Sequence, residues 1–189
     1  MKLSNYACGI AYATGYMVNE NGKSFLVVRN IDKWYADIIS VESQYNPYRF
    51  KRSSKGTSWC IKARDVSVLP ELSTVIGSKD FIRAYIEIHG ILDTMNFKNR
   101  RGEPLKKLRL RIYGKKEILE WINEALPAGI KKIQYIKNIV DSDYVGETYC
   151  IYFQSQAEIE HILGWIDGQP RNENVWSKWK ILEKNLKSD

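Results

Sequence analysis

An order of elements that occurs twice constrains this chain more than any other feature of its 189 residues. A short helix rich in small residues is predicted over 5–15. An extended pair over 16–20 and 23–30 follows, turning at Asn21-Gly22, the dipeptide that most strongly marks a two-residue hairpin. Asp32 stands where a side chain caps the helix over 33–44, which carries Trp34, Ile38, Ile39 and Val41 at helical spacing and which Pro47 stops. A hairpin over 48–52 and 58–64 and a short segment over 66–76 close this half. Ser78 then caps a helix over 79–89, and the order returns. A hairpin over 91–98 and 106–113 turns through 99–102. An amphipathic helix over 115–126 presents Ile118, Leu119, Ile122 and Leu126 as one stripe. A hairpin over 130–139 and 147–154 and a helix over 156–167 follow, and the tail over 173–187 is one more helix.

Each half therefore has the order helix, hairpin, helix, hairpin, helix. The expected domains are a first module over 1–77, a second over 78–168 and a helical tail over 169–189. Hydrophobic residues make up 44% of the chain, enough to bury a core under each half, and the 27% of charged residues excludes wholesale disorder. Cys8, Cys60 and Cys150 are odd in number and lack CxxC spacing. A disulfide framework or zinc site is therefore not expected, and a reducing cytoplasm suits the chain. No apolar run reaches membrane-spanning length, and residues 1–13 lack the apolar centre of a signal peptide. Lys and Arg outnumber Asp and Glu by 29 to 22, which favours an anionic partner.

The opening helices of the halves carry related nonapeptides. One is Ala7-Cys8-Gly9-Ile10-Ala11-Tyr12-Ala13-Thr14-Gly15 and the other Ile82-Arg83-Ala84-Tyr85-Ile86-Glu87-Ile88-His89-Gly90. Small residues suit helices whose backbones cross closely. Ala7, Gly9, Ala11 and Ala13 on the first helix, and Ala84 on the second, are the expected interface between modules. Gly15 and Gly90 are expected to let the chain leave each helix in a left-handed conformation. With a hairpin directly after each nonapeptide, the chain up to about residue 168 resembles a single-chain LAGLIDADG homing endonuclease with two degenerate motifs. The resemblance implies an α+β fold of two pseudo-symmetric α-β-β-α-β-β-α modules whose antiparallel sheets form a saddle over double-stranded DNA. It also implies a monomer with internal pseudo-two-fold symmetry and no membrane association.

In that family the eighth motif residue is an acid that holds divalent metal at the scissile phosphates, a task for hard oxygen ligands. Here the eighth residues are Thr14 and His89, and an imidazole suits Mg²⁺ poorly. Glu87, at the sixth position, is the carboxylate within the motifs and the candidate catalytic residue; Glu20 and Asp93 lie just beyond the helices. The reading is a DNA-binding protein that has lost nuclease activity. No cofactor is expected, with Mg²⁺ needed only if cleavage is retained. The alternatives are an active metal-dependent endonuclease and a protein-interaction module that keeps only the fold. His161 is expected to be a surface or packing residue.

Strand alternation defines the expected DNA face. Lys107, Arg109 and Arg111 point one way, and Leu108, Leu110 and Ile112 the other. Thr94, Asn96 and Lys98 join the polar set from the preceding strand. The first half adds Arg29, Arg49, Lys51, Lys62 and Arg64. Turn residues Arg100, Arg101, Arg52 and Lys55 are placed to reach flanking phosphates. These are the side-chain types that read base edges and phosphates, and a two-stranded ribbon fits the major groove. The segment over 130–139 alternates irregularly, which leaves the faces of Gln134, Tyr135 and Lys137 open.

Overall fold

Asn21 and Gly22 both adopt positive φ, at 50° and 73°, as a two-residue turn of this hand requires. The turn fixes the register of β1 (Gly15–Glu20) against β2 (Lys23–Asn30), with Glu20 opposite Lys23. The computed structural model describes residues 2–52, 56–64, 69–98, 101–141 and 144–187. Among these, α1 (Asn5–Thr14) precedes the hairpin, and α2 (Lys33–Ser43), β3 (Tyr48–Arg52), β4 (Gly56–Ala63) and α3 (Leu72–Val75) follow it. The second run is α4 (Lys79–His89), β5 (Gly90–Lys98), β6 (Pro104–Gly114), α5 (Lys116–Ala125), β7 (Gln134–Asp141), β8 (Tyr144–Phe153) and α6 (Gln156–Ile166), followed by α7 (Glu173–Lys187). The fold is α+β with two pseudo-repeated modules.

Both sheets are antiparallel, four-stranded and of the same order, β1-β2-β4-β3 and β5-β6-β8-β7. By packing, the chain forms two compact units, residues 1–88 and 89–189, so α4 packs with the first unit although it opens the second repeat. In the first unit Leu26, Val28, Ile61 and Ala63 are buried on the sheet face covered by α1 and α2. In the second, Leu108, Leu110, Ile112 and Ile151 are buried under α5, α6 and the tail helix α7, which packs on β5 and β6 with Trp176 and Trp179 buried.

Helix ends follow side-chain chemistry. Ser4 caps α1 by accepting from Ala7 N, Asp32 caps α2 by accepting from Trp34 N, and Ser155 caps α6 by accepting from Glu158 N. Four local expectations change. α2 ends at Gln44 in a left-handed conformation (φ 61°), three residues before Pro47. Its buried stripe is Tyr35, Ala36 and Ile39, while Val41 is 79% exposed. β7 starts at Gln134 rather than at residue 130, because buried Asn123 holds the preceding segment: its Oδ1 accepts from Lys131 N (3.0 Å) and its Nδ2 donates to Lys131 O (2.7 Å). Gly15 is extended (φ −95°), and Gly90 has no positive φ. Gly15 is needed for space instead, because a Cβ there would lie 2.3 Å from the carbonyl oxygen of Ala11.

Candidate nucleic-acid interface

Register, not polarity, decides which side chains share a sheet face. On the second sheet Asp93 lies opposite Arg109, Ile91 opposite Arg111 and Met95 opposite Lys107. Arg111 lies opposite Tyr152, and Tyr113 opposite Cys150. The face turned away from the buried leucines therefore carries Lys107, Arg109, Arg111, Tyr113 and Tyr152, as the alternation along β6 predicts. Thr94 lies opposite buried Leu108, and Asn96 opposite Lys106. Thr94, Asn96 and Lys98 consequently belong to the helix-side face, where the long hairpin leaves them exposed. Grouping them with the arginines is corrected. A register shift between Tyr135 and Lys137 explains the irregular alternation of β7, and it brings Gln134 and Lys137 to the open face opposite Cys150 and Thr148.

Asp93 organises this face. Its Oδ1 accepts from Arg109 Nε (2.9 Å), and its Oδ2 accepts from Arg109 Nη2 (2.8 Å) and Arg111 Nη2 (2.5 Å). Hydrogen bonding from Arg109, with the charge of both guanidinium groups, holds the carboxyl below the usual carboxylate range. Arg111 Nη1 donates to Tyr113 Oη (3.0 Å), and Lys107 Nζ sits 4.2 Å from the Phe97 ring centroid. Burial raises the Cys150 thiol and the Tyr152 phenol above their ordinary values.

The first sheet braces its cations on aromatic rings. Arg29 lies opposite Cys60, and Lys62 opposite Val27, on one face. The Arg29 guanidinium is 4.1 Å from the Phe50 centroid and 5.5 Å from that of Tyr16. Lys62 stacks 4.5 Å from Phe25 and pairs with Glu20. Arg49 lies opposite Trp59, and Lys51 opposite Thr57. Trp59 also meets Lys33 of α2, at 5.1 Å, so Arg49 and Lys51 face the helix side, and their grouping with Lys62 is corrected. Arg64 and Arg101 are exposed beyond the strand ends. Arg100 and Lys55 fall outside the described residues, as does the side chain of Arg52.

In the first unit, α1 and α4 cross at backbone contact. A Cβ on Gly9 would lie 2.4 Å from the carbonyl oxygen of Phe81 and 2.8 Å from Ala84 Cβ. Ala7, Ala11 and Ala84 are buried and Ala13 half-buried. Gly9 and Ala84 therefore meet at this crossing.

No protein-family model and no curated protein matches the sequence. Solved structures do match it. The I-LtrWI LAGLIDADG homing endonuclease bound to target DNA is 13% identical with a TM-score of 0.66, over 99% of this chain and 91% of that one. The K262A mutant of I-SmaMI is 10% identical with a TM-score of 0.66, over 96% and 90%. The LAGLIDADG meganuclease I-AabMI bound to uncleaved DNA is 6% identical with a TM-score of 0.62, over 95% and 91%. The chain has the LAGLIDADG homing-endonuclease fold.

Within that fold the motif ends carry unusual chemistry. Thr14 Oγ1 donates to the carbonyl of Ile10 (3.0 Å) and is bound to its own helix. Glu87 is 6% exposed, and its Oε2 accepts from Tyr6 Oη at 2.5 Å, a partner 81 residues away rather than a local one. Burial, and then the adjacent carboxylate, raises the Tyr6 phenol far above its ordinary value. Glu20 is paired with Lys62, and Asp93 with Arg109 and Arg111. Among the described residues, no three of His, Cys, Asp and Glu come together as a metal site. Thr14 and His89 hold the positions that carry the acids in LAGLIDADG motifs, and neither offers a carboxylate. His161 is exposed on α6.

Sequence reasoning missed the organising part of Asp93 and the presence of Tyr113, Tyr152, Gln134 and Lys137 on the arginine face. The signal lay in the loop: with Lys98 opposite Pro104, residues whose numbers share parity face the same way. Sorting by polarity concealed this.

Proposed function

We propose that this protein is a double-stranded DNA-binding protein that uses the open faces of its sheets and has lost phosphodiester cleavage. The observation that carries the reading is the second sheet's open face, where Lys107, Arg109, Arg111 and Lys137 stand on the side away from the helices. Solved proteins of this fold include several bound to DNA, which supports duplex DNA as the ligand. The loss of cleavage is supported by Thr14 and His89 in place of motif acids and by the engagement of Glu87 with Tyr6. The protein acts as a monomer, because one chain already holds both modules, and in a reducing compartment. It needs no cofactor, and Mg²⁺ enters only if cleavage is retained.

Salt titration of binding to duplex DNA tests the reading. Affinity is expected to fall steeply between low and moderate salt, with a slope of about −0.9 per phosphate contact. Substituting Lys107, Arg109 and Arg111 together with Ala is expected to flatten that slope and weaken binding at least tenfold. Absence of duplex binding at low salt overturns the proposal. Mg²⁺- or Mn²⁺-dependent nicking that Glu87→Gln abolishes overturns its inactive part.

A further inference from the structure

We propose that Asp93 fixes Arg109 as a guanine-reading side chain on the open face of the second sheet. The inference rests on the DNA-binding reading above and adds to it a base, a residue and a positioning partner. The two residues are direct cross-strand partners, so the pleat itself brings their side chains together. The carboxylate takes the Nε–Nη2 edge of Arg109 in a two-bond fork, at 2.9 and 2.8 Å. The same carboxylate is held from a second side by Arg111 Nη2, and Arg111 is anchored in turn through Nη1 to Tyr113 Oη. Arg111 thus serves as the brace, with both terminal nitrogens engaged.

What remains on Arg109 is the edge formed by Nη1 and the second Nη2 hydrogen. It offers two parallel donors on a plane whose orientation Asp93 sets, on a side chain 27% exposed. In the major groove guanine presents two acceptors, O6 and N7, side by side. Adenine pairs an acceptor with a donor, cytosine presents a donor, and thymine presents one acceptor beside a methyl group. A phosphate is a poor alternative ligand here. Its oxygens would approach a guanidinium already shared with a carboxylate, and the two anions would repel. Guanine's acceptors are neutral and carry no such penalty. Lys107, stacked on Phe97 and with no acid on its ammonium among the described residues, is the phosphate-type cation of the same face.

Selection from a random duplex pool with the full chain, its Arg109→Lys variant and its Asp93→Asn variant tests the assignment, with thermal melting as a check on folding. The wild type is expected to enrich guanine at a defined position of its site. Arg109→Lys keeps the charge and removes the fork. It is expected to lose discrimination at that position by about ten- to a hundred-fold while the salt slope is retained. Asp93→Asn keeps the arginine but releases its plane. It is expected to weaken the guanine preference while binding to non-specific duplex tightens, because an anion has left the face. If Arg109→Lys leaves every base preference unchanged, or Asp93→Asn leaves guanine preference intact, the assignment falls and DNA binding stands. If the wild type binds no duplex, the DNA-binding reading falls and takes this assignment with it.

Discussion

Aligned on Gly15 and Gly90, the two motifs place Tyr6 with Phe81, Gly9 with Ala84 and Tyr12 with Glu87. The crossing of α1 and α4 then makes one contact twice in different chemistry. Tyr6 meets Glu87 through a buried hydrogen bond, and its counterpart Phe81 meets Tyr12 ring to ring, with centroids 5.8 Å apart. The sheets repeat the lesson. They share strand order, and Cys60 and Cys150 are buried facing the first residues of β3 and β7. Yet the first braces Arg29 on aromatic rings, and the second braces Arg109 on a carboxylate. At the helix crossing, equivalent motif positions keep their packing and exchange their polar partners. A carboxylate inside a motif is therefore not by itself a catalytic one: Glu87 closes one end of a helix crossing that an aromatic pair closes at the other.

The largest expected effect separates the equivalent residues Gly9 and Ala84. Gly9→Ala drives a methyl group to 2.4 Å from the Phe81 carbonyl. It is expected to destabilise the fold by about 3 kcal/mol despite alanine's better helix propensity. Ala84→Gly removes a methyl group and is expected to cost about 1 kcal/mol. Urea unfolding of both variants measures the difference. Equal losses would mean that the crossing is not centred on Gly9.

This centre was legible in the sequence, because small residues at helical spacing followed by hairpins have few other uses. The first hairpin and the buried side of β6 were legible too, from Asn21-Gly22 and from the hydrophobic alternation of Leu108, Leu110 and Ile112. The partner of Glu87 was not, since an 81-residue separation leaves no local trace. The shared face of Asp93 and Arg109 was not either, because polarity alone cannot count the residues in a loop whose length sets the register.

Next in size is the hydrogen bond that distinguishes the two ends of the crossing. Tyr6→Phe removes the phenol donor to buried Glu87 and is expected to cost about 1–3 kcal/mol, against about 1 kcal/mol for Tyr12→Phe, whose hydroxyl donates to the Pro70 carbonyl. The two variants also differ in pH dependence. Folding raises the Tyr6 phenol above its unfolded value of about 10. Below pH 10 the phenol is neutral in both states, and its stabilising contribution is fully present. As pH rises further, the unfolded chain releases the proton while the folded one holds it, so this contribution is lost by about 1.4 kcal/mol per pH unit. Urea midpoints from pH 9 to 11 should therefore fall less steeply in Tyr6→Phe than in the wild type. Parallel profiles would show that the buried phenol does not set the alkaline limit.

The smallest expected effect tests the two faces of each sheet against one another. Arg49 and Lys51 carry the same charges as Arg29 and Lys62 but stand on the helix side, by Trp59 and Thr57. Thr94 and Asn96 stand on the helix side of the second sheet. If DNA meets the open faces, replacing Arg49 and Lys51 with Ala is expected to change the salt slope by less than that of a single phosphate contact, about 0.9. Thr94→Ala with Asn96→Ala is expected to leave base preference as it is. The matching pair on the open face, Arg29→Ala with Lys62→Ala, should flatten the slope by up to about twice that amount. A reversal, with the helix-side pair moving the slope and the open-face pair leaving it, would place the DNA on the other side of the first sheet, because the register assigns the two pairs to opposite faces.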